Sequence, residues 1–225
     1  MKPSLYFFCA LFIVLFSACE KDNLEEPTSI LSGNITFAGQ PIGVRTGGVQ
    51  FEIWQRGYAF FTKVPLNIAQ DGSFKATLHD GDYKLVRLPN AGPWANNTDT
   101  INVSLKGAAS VDIPVEPYFV IKNASIIRDG QNVSATFTIE QNGTHTRTLE
   151  SARLFLGRYF LLDAGNNGNA GNKAATGIVL GQPVTVTMAI PPYIEKDDFI
   201  FARVGVKTRD IQEYLYTPSQ KIQLK

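Results

Sequence analysis

The chain has 225 residues, with 21 basic and 20 acidic side chains, a length suited to one or two domains. A nucleic-acid binder takes most of its affinity from phosphate contacts and shows a basic excess. The balanced charge here, with no run of lysines or arginines, argues against nucleic acid as a partner. Glycine (19) and proline (12) are plentiful and methionine is scarce (2); with no long helical period, this favours short strands joined by turns.

Residues 1–18 read as a secretory signal. Met1-Lys2-Pro3 supplies one positive charge, Leu5 to Phe16 is almost purely apolar, and Ser17-Ala18-Cys19 follows. The apolar run is shorter than the ~20 residues that span a bilayer, and small residues at its end mark a cleavage site. A cysteine directly after the small pair resembles the lipobox cut by the lipoprotein signal peptidase. The chain has two cysteines. Cys9 would leave with the signal, so Cys19 would be the lone thiol of the mature chain, and a lone cysteine in a secreted protein needs an explanation. A diacylglycerol thioether supplies one, and two or more acyl chains give stable membrane anchoring.

Residues 19–28 are charged and poor in bulky apolar groups, as expected of a flexible tether. The acidic residues just after the cysteine, Glu20 and Asp22, match the surface-export signal that this segment resembles in Bacteroidetes lipoproteins. The expected localisation is the outer membrane, facing outward.

From Ser29 onward, alternation with a period of two dominates. Ile35 and Phe37 flank Thr36. Val49, Phe51 and Ile53 share one face, with Gln50, Glu52 and Trp54 opposite. Phe74, Ala76 and Leu78 form a further face, as do Ile101, Val103 and Leu105, and Val111, Ile113 and Val115 close the series. Each such segment buries one face and wets the other, with turns at Asp71-Gly72, Asp80-Gly81 and Asn90 to Pro93. A second series holds Val133, Ala135, Phe137 and Ile139, a strand around Arg153–Leu156, and Val184, Val186, Met188 and Ile190. Phe199–Val206 is apolar on both faces, as in a central strand, and Tyr214–Leu224 is an edge strand containing Pro218. Pro114-Val115-Glu116-Pro117 divides the two series, giving domains at 29–115 and 116–225. Each is long enough for a small β-sandwich, so the expected fold class is all-β with two sandwiches in tandem.

The first domain resembles the carboxypeptidase-regulatory-like, or prealbumin-like, sandwich. The matching residues are Ser32-Gly33, Gly39-Gln40-Pro41-Ile42, Asp71-Gly72-Ser73-Phe74 and Leu78 through Leu85; the segment between Gly43 and Leu66 departs from the pattern. Asp71-Gly72 turns tightly because glycine accepts positive φ and aspartate bonds its own turn. Lipobox, acidic tether and two β domains together resemble a family of Bacteroidetes surface lipoproteins of unknown function, associated with SusC/SusD-like transporter pairs in glycan uptake. That resemblance implies an immunoglobulin- or fibronectin-like second domain, although no tryptophan lies in it. It implies no catalytic residues.

Chemistry-bearing patterns are sparse. His79 and His145 sit in different domains, no serine lies in a nucleophile elbow and no histidine pair has zinc spacing. Glu52, Glu150 and Asp163 stand out from no other carboxylates as a glycosidase pair. Asp163, Asn167 and Gly168 open a Gly- and Asn-rich stretch, Ala164–Gly177, that lacks the further ligands of a calcium loop and reads as a mobile surface loop. Neither metal nor cofactor is expected.

Aromatic residues offer more for binding. Trp54 points away from its strand's core face, Tyr58 follows it, and Trp94 lies in a turn-rich stretch. Sugar rings present C–H faces that pack on such rings; equally, the rings could fill a domain interface. Asp99-Thr100-Ile101 matches a Bacteroidetes O-glycosylation pattern, with Thr100 as the acceptor. The expected function is a non-enzymatic surface lipoprotein that binds polysaccharide or oligosaccharide, or assists its uptake. The alternatives are an adhesin-type protein that pairs through strand edges and a hydrolase with an unrecognised site.

Overall fold

The alternation along the chain is realised as strands. The computed structural model describes residues 25–55, 63–165 and 169–225. The first domain holds β1 (Ser29–Phe37), β2 (Gln40–Pro41), β3 (Gln50–Gln55), β4 (Lys63–Asn67), β5 (Ser73–Leu78), β6 (Gly81–Arg87), β7 (Thr100–Leu105), β8 (Ala108–Ser110) and β9 (Ile113–Pro114). The second holds β10 (Phe119–Asp129), β11 (Asn132–Gln141), β12 (Leu149–Gly157), β13 (Asn169–Ala174), β14 (Pro183–Ala189), β15 (Phe199–Thr208), β16 (Tyr214–Tyr216) and β17 (Gln220–Gln223). No helix among the described residues is long and apolar enough to cross a membrane.

Each domain is a pair of sheets packed over one core. In the first, β1 pairs antiparallel with β2 and β5 and parallel with β8 and β9, and the facing sheet runs β4-β3-β6-β7. Leu31, Ile35, Phe51, Ile53, Leu85 and Leu105 fill the space between them. In the second, the sheet β10-β11-β14 packs on β13-β12-β15, whose β15 carries both β16 and β17 along its far edge. Val133, Phe137, Leu154, Ile200 and Val204 lie between these sheets. The chain is therefore all-β, with two β-sandwich domains in tandem.

Three elements differ from the sequence expectation. Val111 to Val115 is not one strand: the chain forms β8, leaves the ladder at Val111-Asp112 and resumes as β9. The span Tyr214–Leu224 is split at Thr217–Ser219, where Pro218 has no N–H to donate, so β16 and β17 pair separately with β15. The Gly- and Asn-rich stretch after Asp163 contains β13, an edge strand on β12, rather than being loop throughout. Backbone hydrogen bonds need no apolar side chain, so such a strand leaves no periodic trace.

The domain junction follows from β15. Ile200, Ala202, Val204 and Val206 face the second core. The opposite face carries Phe201, Arg203 and Gly205, and with Phe155, Leu162, Tyr214 and Tyr216 it builds a smaller cluster. Arg203 is fully buried (0% exposed). All five guanidinium donors are used: Nε on Thr217 O, Nη1 on Gln70 Oε1 and Leu162 O, and Nη2 on Val44 O and Gln70 O, at 2.6–3.0 Å. Val44 and Gln70 belong to the first domain, so one side chain of the second domain closes three backbone and side-chain acceptors of its neighbour. Its guanidinium also lies 4.2 Å from the Tyr216 ring centroid. Burial pushes the Arg203 pKa down to about 10, still well above neutrality, so the charge is retained. Gly43 lets the domains approach: a Cβ there would sit 2.6 Å from Tyr216 O and 2.8 Å from Arg203 Nη2, and Tyr216 N donates to Gly43 O at 2.9 Å.

Candidate functional site

The β4-β3-β6-β7 sheet buries only one face. Its outer face is set by register. Trp54 on β3 stands between Lys63 on β4 and Lys84 on β6, and Lys84 neighbours Asn102 on β7. One row over, Glu52, Val86 and Thr100 stand side by side. Adjacent strands are ~4.8 Å apart, so these side chains form one continuous surface. Trp54 is half-buried here, as its outward position in the sequence pattern implies.

Its ring is held in place. Glu52 Oε2 accepts from Trp54 Nε1 at 2.6 Å, and Lys63 Nζ lies 5.0 Å from the ring centroid and 3.4 Å from the same carboxylate oxygen. The three groups lock one another, because an ammonium is attracted both to the indole face and to the carboxylate. Beside the ring is an open depression of about 430 Å³, bordered by Asp82, Lys84, Asn102 and Ser104. A pre-oriented aromatic face next to amide, hydroxyl, ammonium and carboxylate groups has the parts to bind a polyhydroxylated ligand with apolar faces. Thr100 is exposed at the start of edge strand β7 on the same surface.

The other expected site residues go elsewhere. Trp94 is 3% exposed and stacks on Phe51, with ring centroids 6.1 Å apart and planes 23° apart. Its ring belongs to the first core and is closed to a ligand. Gly92 permits this, since a Cβ on it would lie 2.2 Å from the Trp94 ring. Cys19, Glu20, Asp22 and Tyr58 lie outside the described residues, as do Asn167 and Gly168. Asp163 is buried near the junction, with Oδ1 accepting from Gly165 N at 2.8 Å. Glu52 serves Trp54 and Lys63, and Glu150 pairs with Lys207 at 3.1 Å, so the three carboxylates make separate local contacts. His145 Nε2 meets Tyr118 O at 2.8 Å, with its ring edge-on to Tyr118 and Phe119, a packing role. His79 is exposed, and its carbonyl accepts from Tyr83 Oη. Among the described residues no three His, Cys, Asp or Glu side chains are placed to hold a metal ion.

A second concavity, about 590 Å³, follows the domain junction between the β1–β2 turn, the edge of β10 and the link from β16 to β17. Its floor is apolar, with Ile42, Val120 and Leu215, and its rim carries Gln40, Lys122 and Gln220.

Fold and surface together define a two-domain β-sandwich protein that presents an oriented tryptophan on an open sheet face. Its residues 29–116 match the N-terminal domain of the protein family of unknown function DUF3823, and residues 119–221 match that family's C-terminal domain. The chain belongs to the DUF3823 family. It is 36% identical to a DUF3823 family protein of known structure from Bacteroides ovatus and 30% identical to one from Parabacteroides merdae, each at a TM-score of 0.80, over 88% of this chain and all of theirs. A Bacteroides uniformis protein described as a "putative carbohydrate binding protein" shares the fold at 18% identity and a TM-score of 0.69, with the same coverage. No curated protein matches the chain.

Proposed function

We propose that this protein is a lipid-anchored, non-enzymatic binding component of the outer-membrane surface that holds polysaccharide or oligosaccharide beside a SusC/SusD-like transporter pair. The observation that carries it is Trp54: a large aromatic side chain left half-open on a sheet face, with its indole fixed by Glu52 and Lys63 and a polar depression beside it. Aromatic side chains bring large burial energies, so one kept at the surface and oriented there suits a ligand with an apolar face. The anchor is supported by Ser17-Ala18-Cys19, by Cys19 as the lone thiol after cleavage, and by the acidic Glu20 and Asp22 that follow. Thr100 is the proposed O-glycan acceptor; an unmodified Thr100 peptide from native protein would refute that assignment.

Affinity electrophoresis of the mature chain on a polysaccharide panel tests the binding role. Retardation on at least one neutral glycan is expected, weakened by Trp54→Ala on the order of tenfold, about 1.4 kcal/mol. No retardation on any glycan would reject it. A second reading, strand-edge pairing with another protein, is favoured by β10, an edge strand that borders the junction groove. Its mark would be capture of the transporter pair or a pilus-type subunit, abolished by proline substitution on that edge.

A further inference from the structure

The large apolar side chains most open to solvent are not scattered. Seven are exposed among the described residues, and four of them, Tyr159 (65%), Phe160 (51%), Leu161 (45%) and Tyr193 (59%), belong to two segments of the second domain that Arg158 joins, its guanidinium lying over the Tyr193 ring. The chain leaves the sheet after Gly157 at the end of β12, and residues 158–161 run over the outer side of β15. Contiguous apolar surface of this kind marks an interaction site more often than chance exposure does.

The rings are positioned before anything binds. Phe160 stands edge-on to Phe201 at 5.7 Å, and Phe201 stands edge-on to Phe199 at 5.6 Å. Arg158 lies 5.7 Å over the Tyr193 ring, reaches both carboxylate oxygens of Asp197 at 2.7 and 3.3 Å, and donates to Tyr193 O. The Phe160 carbonyl is fixed by Gln70 Nε2 at 3.0 Å and Ser219 Oγ at 2.8 Å. A surface already ordered loses little conformational freedom on binding.

Charge and position narrow the occupant. Four cations border it, and three are engaged: Arg158 with Asp197, Lys225 with Asp198 at 3.2 Å, and Lys221 over the Phe199 ring at 3.8 Å; the fourth, Lys196, shares a concavity with the carboxylates of Asp197 and Asp198. An anionic ligand would have to displace these contacts or sit against those two carboxylates. Nor does the surface face the end at which the chain enters the first domain. Ser29 opens β1 beside Gly107 and Leu78, whereas the junction is formed beyond the other end of β1, a separation of roughly 27 Å for a nine-residue strand.

We infer that this aromatic surface is a second binding site for an uncharged polysaccharide, so that the protein grips a long neutral glycan at two points, Trp54 on the first domain and Tyr159, Phe160 and Tyr193 on the second. This rests on the glycan-binding role proposed for Trp54. Because Arg203 and Gln70 tie the domains together, a polymer that spans both sites would make the second contact at high effective concentration once the first is made. The ligand class is thereby sharpened from sugars in general to neutral polymers long enough to reach both sites.

The test measures the mature chain, Trp54→Ala, the double variant Tyr159→Ala/Tyr193→Ala, and all three substitutions together, on a retained neutral polysaccharide and on short oligosaccharides cut from it. The polymer is expected to bind about 100-fold tighter than the oligosaccharides, by avidity. Each single-site variant should lose most of that advantage and keep measurable oligosaccharide binding at the remaining site; the combined variant should bind neither. The substituted tyrosines are exposed, so an unchanged melting temperature verifies that the double variant is folded. If the tyrosine variant binds polymer as tightly as wild type while Trp54→Ala does not, the second site is wrong and the Trp54 site stands. If wild type binds no glycan, both fall. Loss of self-association or of neutral-vesicle binding in the tyrosine variant, with polymer affinity unchanged, also overturns the second site by assigning the surface to a protein or lipid.

Discussion

The outer faces of the two domains' sheets are built from similar strands and end up in opposite environments. In the first domain the outer face of β4-β3-β6-β7 is wet: Glu52, Lys63, Lys84, Asn102 and Thr100 surround a single half-open tryptophan. In the second domain the outer face of β12-β15-β16 carries Phe155, Phe201, Tyr214, Tyr216 and a completely buried arginine, part of it covered by the first domain. A sheet with one wet face needs only its own sandwich partner. A sheet with two apolar faces needs a neighbour on each side, and here the neighbour is the other domain. The difference assigns roles: the first domain supplies a free surface, and the second gives up part of one to become a fixed extension of the first.

Breaking the covered face should have the largest effect. Arg203→Met removes five hydrogen bonds and strands the carbonyls of Val44, Leu162 and Thr217, leaving Gln70 O with only the Val44 N–H. Removing one partner from a buried charged network costs about 3–5 kcal/mol. The expected outcome in calorimetry is a lower melting temperature and separation of one cooperative transition into two, as the domains uncouple. A single transition within a degree of wild type would contradict the coupling role.

The two tryptophans sharpen the comparison within one domain. Trp94→Ala empties a packed site and should cost about 3–5 kcal/mol, read by urea denaturation. Trp54→Ala should cost under about 1 kcal/mol and act on glycan affinity instead. A reversal of these magnitudes would exchange the two assignments.

Smaller effects belong to the rim of the junction. Arg45 Nε donates to Glu213 Oε2 at 3.0 Å, and Arg45 Nη2 bonds the other oxygen. With the Arg45 side chain 37% exposed, a double-mutant cycle should return a coupling of about 0.5–1 kcal/mol, falling with salt. The smallest effect is acidic. Asp71 is held below the usual carboxylate range by the Ser73 hydroxyl and N–H, and Asp80 by the Ser29 hydroxyl and Gly107 N–H. Their depressed pKa values contribute stability that is fully present above the unfolded value near 4 and is lost as pH falls through the folded values. Asp71→Asn/Asp80→Asn should lower the melting temperature slightly at pH 7, where this contribution is fully present, and the gap from wild type should close as pH falls below about 4.

Much of the fold was legible because period-two alternation reports one buried face. The positions of Phe51 and Ile53 against Glu52 and Trp54 emerge as the pattern implies, and so does the two-sided burial of Phe199–Val206 in β15. What escaped was set by partners distant in sequence. β13 is held by backbone bonds to β12 and carries no apolar period. Trp94 reads as a turn residue until Gly92 and Phe51 are seen to enclose it. Tyr159, Phe160 and Leu161 follow the strand around Arg153–Leu156 with no pattern of their own, and the departure of the chain after Gly157 is what exposes their side chains. Arg203 sits in an apolar strand where a charge looks misplaced, and its acceptors lie up to 159 residues away. That misfit was the one available signal of the junction.

The central claim is that the Trp54 ring is a glycan contact, and tryptophan fluorescence tests it most directly. The chain has two tryptophans, one enclosed and one half-open, so acrylamide should quench Trp54 and spare Trp94. Adding a polysaccharide that the protein retains should protect the quenchable component and shift its emission to the blue. A retained polysaccharide that leaves both quenching and emission unchanged would contradict the claim.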